Sequence, residues 1–284
     1  MTPVEKPATV EKLAAHLVTW IGERVAAGGG EGVVFGLSGG VDSAVVAALS
    51  QRAFPHQCLG LIMPCHSEPQ DEEDAHLVAH HFGIATARVD LGDVYDGLVN
   101  ELGLTCTDTP ASRLACANIK PRLRMTSLYA FANLHNYRVL GTGNRSELAV
   151  GYCTLYGDMN GGLAVIADLP KMMVYRVSRW RNRRRPDIPE AILSKAPSAE
   201  LRPDQTDQDS LPPYALLDLI LELHVEQCQS AEEIIAQGFD EATVRRVLRL
   251  VRIAEFKRKQ AALVLKVTSR AFGTGWRMPI VRQE

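Results

Sequence analysis

Four short apolar runs separated by helical patterns, between residues 32 and 141, constrain the fold of this chain more than any other feature. Residues 32–37, 59–63, 85–89 and 138–141 have strand length, and Val33, Val34 and Phe35 mark the first as buried on both faces. Residues 42–53, 71–82, 94–102 and 118–136 read as helices between them, and a leading helix over 10–27 stops at Gly28-Gly29-Gly30. This alternation predicts an α/β chain, a doubly wound and mostly parallel sheet with helices on both faces. Past Thr142 the pattern changes: loops over 151–162 and 196–213 are followed by helices over 170–183, 214–226, 231–236 and 241–265. Without an internal repeat or a low-complexity linker, residues 1–284 are expected to form one elaborated domain.

The first strand runs into Gly36-Leu37-Ser38-Gly39-Gly40-Val41-Asp42-Ser43, with a helix directly after it. Adjacent glycines let a backbone turn tightly and bring its N–H groups against a phosphate. The helix that follows aims its positive end at the same point. Ser38 and Ser43 add hydroxyls, whereas Asp42 is an acid where an anion should sit. That arrangement makes sense when a divalent cation bridges carboxylate and phosphate. A Walker A loop requires a lysine that this stretch lacks. The plainer alternative is a strand–turn–helix whose glycines serve packing alone.

Ser38-Gly39-Gly40-Val41-Asp42-Ser43 after a strand resembles the pyrophosphate loop of the N-type ATP pyrophosphatases, which have a Rossmann-like, adenine nucleotide alpha hydrolase fold. Six further segments follow in order: Asn118 to Met125, Gly141 to Glu147, Gly151 to Asp158, Asp168 to Tyr175, Pro197 to Leu201, and Gln205 to Asp209. Together, from about residue 10 to about residue 280, they resemble NAD synthetase. The later ones, including Ser269-Arg270-Ala271-Phe272, are most similar to the synthetase half of the glutamine-dependent form.

The resemblance implies ATP-dependent amidation of deamido-NAD, with Mg²⁺ held by Asp42 and Glu147, and the near-average composition separately makes the cytoplasm the expected location. It implies ATP contacts from Gly36, Leu37, Ser38, Gly39, Gly40, Val41, Asp42 and Ser43 of the loop and from Thr142, Lys171 and Ser198. Asn118 and Arg122, one helical turn apart, would meet deamido-NAD together with Glu147 and Lys257. Asp42, Lys171 and Glu147 would carry the chemistry, and a homodimer with the substrate near its interface is implied. Leu155 stands where the ammonia-dependent form often has a substrate-contacting lysine, and Gln208 where many relatives have an acid. Only about 30 residues precede the loop, so ammonia is expected as the direct nitrogen donor, free or fed from a separate glutaminase subunit. Two alternatives are a tRNA thiolase of the same superfamily and an inactive nucleotide-binding regulatory module. The first would want paired cysteines that are absent; the second could dispense with Asp42 and Glu147.

A formal net charge of −2 argues against a general nucleic-acid binder. The longest stretch without Asp, Glu, Lys or Arg, residues 53–67, is too short for a membrane span, and residues 1–12 lack the apolar core of a signal peptide. Cys58, Cys65, Cys106, Cys116, Cys153 and Cys228 are expected as free thiols, since no secretion signal accompanies them. Residues 179–185, with five arginines, could bind phosphates or simply complement the end of a helix; the second reading is preferred. His76 and His80 are read as surface residues rather than metal ligands, and Cys65-His66 as neighbours pointing apart rather than a nucleophilic dyad.

Overall fold

A computed structural model of the chain describes residues 7–107, 109–183, 185–198 and 206–260. The expected motif residues 199–201, 205 and 269–272, Arg184, and the end of the helix foreseen to residue 265 lie outside them. Five strands, β1 (Gly32–Gly36), β2 (Cys58–Ile62), β3 (Ala85–Arg88), β4 (Tyr137–Gly141) and β5 (Leu163–Ala164), form one sheet of order β3-β2-β1-β4-β5. Every pairing is parallel, with Val33 opposite both Cys58 and Arg138. β5 is a two-residue extension beside Leu140 and Gly141, too short to leave a pattern in the sequence.

Alternate residues of β1 feed opposite layers. Val33 and Phe35 pack on one face with α1 (Pro7–Ala27), α2 (Val41–Ala53), α3 (Pro69–Phe82) and α7 (Lys171–Asn182). Val34 packs on the other with α4 (Gly92–Glu101) and α5 (Pro110–His135). The sheet is therefore doubly wound, as the alternation predicts. A third apolar cluster joins α6 (Arg145–Val150), α9 (Tyr214–Leu221), α10 (Ala231–Ala236) and α11 (Glu241–Ile253). The short α8 (Glu190–Ser194) and α12 (Glu255–Arg258) complete the helices among the described residues.

Several boundaries differ from expectation, and α6 and α8 were not foreseen. α5 begins at Pro110, not at 118, because Thr109 caps it: its hydroxyl accepts from the Ser112 amide, and proline suits the first turn. The helix foreseen over 214–226 widens after Leu221 into a π-helical turn, Glu222–Glu226. The last foreseen helix breaks at Ala254, between α11 and α12.

The expectation of six free thiols is corrected: Cys106 and Cys116 form a disulfide that ties the turn after α4 to the second turn of α5. A pairing ten residues apart across a turn has no spacing signature, so only the folded turn reveals it. Cys58, Cys65, Cys153 and Cys228 are free. No helix among the described residues is long and apolar enough to cross a membrane.

Candidate active site

Chain order reverses at β1: β2 and β3 lie to one side, β4 and β5 to the other. The crevice beyond the carboxyl ends of β1 and β4 is thus the place where such sheets take ligands. The loop leaving β1 is closed on itself by its serines. Ser43 Oγ donates to the Gly40 carbonyl (2.9 Å) and accepts from the Ser38 amide (3.3 Å), while Ser38 Oγ accepts from the Gly40 amide (3.3 Å). Gly39 takes φ +83°, and a Cβ there would sit 2.4 Å from the Asp71 carbonyl oxygen. Only glycine fits. Val41, 5% exposed, is a core residue and brings backbone alone to this end of α2.

The opposite wall comes from β4. Asn144 caps α6 in a reciprocal box with Glu147: its side chain accepts from the Glu147 amide (3.0 Å) and its own amide donates to Glu147 Oε2 (3.3 Å). Asn144 Nδ2 also donates to Asp42 Oδ1 at 3.0 Å, joining the two walls. Sequence reasoning gave Asn144 no role, although the Asn-x-x-Glu spacing that makes it a cap is visible.

Lys171 opens α7 and is 3% exposed at its side chain. Its Nζ lies 2.5 Å from Asp42 Oδ2, 3.2 Å from Glu147 Oε1 and 5.1 Å above the Tyr214 ring. Burial pushes the Glu147 carboxyl up to about 7; Lys171 offsets part of that rise and Asp42 adds to it. Burial alone would depress Lys171, but Asp42 and Glu147 outweigh it and hold the ammonium above the ordinary lysine value. A third acid, Asp207, is 2% exposed: Tyr214 donates to its Oδ2 at 2.7 Å, and Tyr152 also bonds this carboxyl, while burial pushes its pKa up. Attention to Gln208 in the sequence passed over it; a buried acid cannot be told from a loop acid by spacing.

Three adjoining cavities surround these groups. One of about 300 Å³ is lined by Ser38, Gly40, Asp42, Ser43, Thr142, Glu147, Ser198 and Asp207. One of about 190 Å³ is lined by Gly36, Leu37, Ser38, Thr142, Arg124 and Ser198, at the ends of β1 and β2. The third, about 710 Å³, is lined by Asn118, Arg122, Leu155, Phe256 and Lys257, and Asp158 borders all three. The structure thus brings the loop, Thr142, Glu147, Lys171 and Ser198 together, and gathers Asn118, Arg122 and Lys257 next door. Glu147 lines the first group, not the second.

Asn118, Arg122 and Lys257 all hold the segment 151–158. Thr154 Oγ1 donates to Asn118 Oδ1 (2.8 Å), Arg122 donates to the Leu155 carbonyl (3.4 Å), and Lys257 donates to the carbonyls of Gly151 and Cys153 (2.7 and 2.6 Å). Arg124, unassigned from sequence, donates to the Met63 carbonyl (3.2 Å) and to Ser67 Oγ (3.2 Å) at the smaller cavity.

The matching family model is NAD synthase, over residues 13–261. The chain belongs to the NAD synthase family. It is 47% identical over 274 residues to the glutamine-dependent NAD(+) synthetase of Synechocystis, covering 96% of this chain and 49% of that protein. The chain thus spans about half the length of the curated relatives it matches. Among solved structures, the NH3-dependent NAD synthetase of Campylobacter jejuni superposes with a TM-score of 0.74 at 25% identity, covering 90% of this chain and 99% of that one. The NMN synthetase of Francisella tularensis gives 0.76 at 27% identity, covering 92% and 98%.

Arg181 and Arg185 pair with the buried Asp187 (2.5 and 2.9 Å), and Arg179 and Arg181 stack on Tyr175 and Phe82. His66 pairs with Asp96 (2.9 Å) while the Cys65 thiol faces the Leu91 carbonyl, so the two form no dyad. No cluster of three or more His, Cys, Asp or Glu with metal-binding geometry occurs among the described residues.

Proposed function

We propose that this chain amidates deamido-NAD to NAD at the expense of ATP, with ammonia as the direct nitrogen donor. The observation that carries the reading is the convergence of Asp42, Glu147 and Lys171 at the loop cavity, which shares Tyr152, Cys153 and Asp158 with the larger one. ATP lies with its phosphates on the Ser38–Ser43 loop and its adenosine toward Arg124; deamido-NAD lies along Asn118, Arg122 and Lys257. The nicotinate carboxylate attacks the α-phosphate, a P–O bond forms, and the bond to pyrophosphate breaks. Ammonia then adds to the activated carbonyl and AMP leaves, with one proton passing to solvent. Lys171 neutralises charge on the phosphates, and the loop amides orient them, so catalysis comes from position and electrostatics rather than a side-chain nucleophile.

The donor set fits Mg²⁺. Asp42 and Glu147 are hard oxygen ligands whose carboxylates already meet at one positive charge, the Lys171 ammonium, and a magnesium site of this kind is completed by substrate phosphates and water. Asp42 and Glu147 would hold the ion, which supplies Lewis-acid charge neutralisation when bound. A homodimer is part of the proposal: Leu114 and Phe256, 63% and 61% exposed, line the larger cavity and offer apolar surface for a second copy.

The test is incubation of the purified protein with Mg-ATP, deamido-NAD and ammonium, followed by assay of NAD and AMP. Release of ADP instead of AMP overturns the mechanism, and ATP binding without turnover favours a regulatory module. Glutamine in place of ammonium, and nicotinate mononucleotide in place of deamido-NAD, define donor and acceptor. The second arm is motivated by the NMN synthetase likeness.

A further inference from the structure

Lys171 and Glu147 reach their meeting point from separate helices, so something must fix the two helix starts against each other. Asp218, on α9, touches both. One carboxylate oxygen accepts from the buried Ser146 hydroxyl, the residue before Glu147; the other accepts from the Met172 amide at 2.9 Å, the residue after Lys171. Ser146 Oγ in turn accepts from the Lys171 amide at 2.9 Å. Two of the open N–H groups at the start of α7 are thereby satisfied. The Arg145 amide bonds the Leu169 carbonyl at 2.9 Å, bracing the same junction.

We propose that Asp218, acting through Ser146, is a positioning residue of the reaction: it sets α6 and α7 so that Glu147 and Lys171 converge. The inference rests on the proposed function, because it assumes that these two side chains serve turnover. The chemistry selects a carboxylate. Asp218 faces two donors, a hydroxyl and an amide, and offers acceptors only. A negative charge beside the first turn of α7 also opposes the helix dipole favourably. Asparagine in its place has one oxygen for two donors and turns an N–H toward the other. Neither Asp218 nor Ser146 lines the three cavities, so their effect on substrate is indirect.

Asp218→Asn and Ser146→Ala test this by steady-state kinetics on the full chain, beside thermal unfolding. Displacing reacting groups by about 1 Å costs about 10²-fold, so kcat should fall roughly 30- to 100-fold while KM for ATP changes less than about twofold. The double variant should be no worse than Asp218→Asn alone, since both delete one linkage. Ser178→Ala is the control: it removes a buried hydrogen bond to the Val174 carbonyl on the same helix, away from the junction, and should keep wild-type kcat. Wild-type kcat in folded Asp218→Asn or Ser146→Ala, or an equal loss in Ser178→Ala, overturns the inference. Ser146→Ala deletes a single hydroxyl and carries the test if Asp218→Asn does not fold. A wild-type protein that makes neither NAD nor AMP would instead overturn the proposed function.

Discussion

Lys171 Nζ lies 2.5 Å from Asp42 Oδ2, across 129 residues of sequence and between the first turns of two helices. The same ammonium is shared with Glu147, so its removal leaves two carboxylates facing each other without a counter-charge. Lys171→Met should lower stability by about 3 kcal/mol, the usual cost of breaking a buried charge pair. It should also reduce NAD formation by about 10²- to 10³-fold, the range for loss of one preorganised electrostatic group. Denaturant titration and the NAD assay check the two effects separately.

Glu147 makes stability depend on pH in a definite direction. Burial raises its folded value from 4.5 to about 7, so between those values the folded chain keeps a proton that the unfolded chain has lost. Its contribution is therefore fully present below pH 4.5 and is lost as pH rises toward 7. Glu147→Gln should flatten the fall in metal-free protein, as read from urea midpoints at pH 5, 6, 7 and 8. Magnesium, which competes with that proton, should bind wild type more tightly as pH climbs through this window.

Gly39→Ala should damage the loop rather than the core. Its positive φ costs an alanine about 1 kcal/mol or more, and the added methyl meets the Asp71 carbonyl, a backbone atom with little freedom to retreat. ATP affinity should weaken at least about tenfold, as measured by calorimetry, because about 1.4 kcal/mol of loop distortion is enough.

The disulfide predicts sensitivity to thiols. Closing a loop of this length constrains the unfolded chain by about 3 kcal/mol, so a dithiol reductant should lower the thermal midpoint by about 5 °C. Cys106→Ser should reproduce the drop and abolish any further response to reductant. Equal midpoints with and without reductant in wild type would remove the stabilising role.

Much of the scaffold was legible because its signals are local. Val33-Val34-Phe35 alternate into two apolar layers, and Gly39-Gly40 before Asp42 announces a loop built around backbone amides. The early start of α5 was also written locally, in Thr109-Pro110 and Ser112, although apolar periodicity alone pointed eight residues later. The partnerships were not legible. Asn144 donating to Asp42, and Asp218 accepting from the Met172 amide, each join residues many turns apart.

By itself the sequence determined the parallel α/β architecture, the loop after β1 and the family, because hydrophobic period, turn chemistry and ordered motifs reside in neighbouring residues. The tertiary structure alone decided that Asp42, Glu147 and Lys171 share one buried point and that Cys106 bonds Cys116. It also set Asn118, Arg122 and Lys257, from two helices, against one loop, 151–158. The reason is physical: the strength of an electrostatic contact depends on distance and burial, and neither exists until the sheet and its helices have packed.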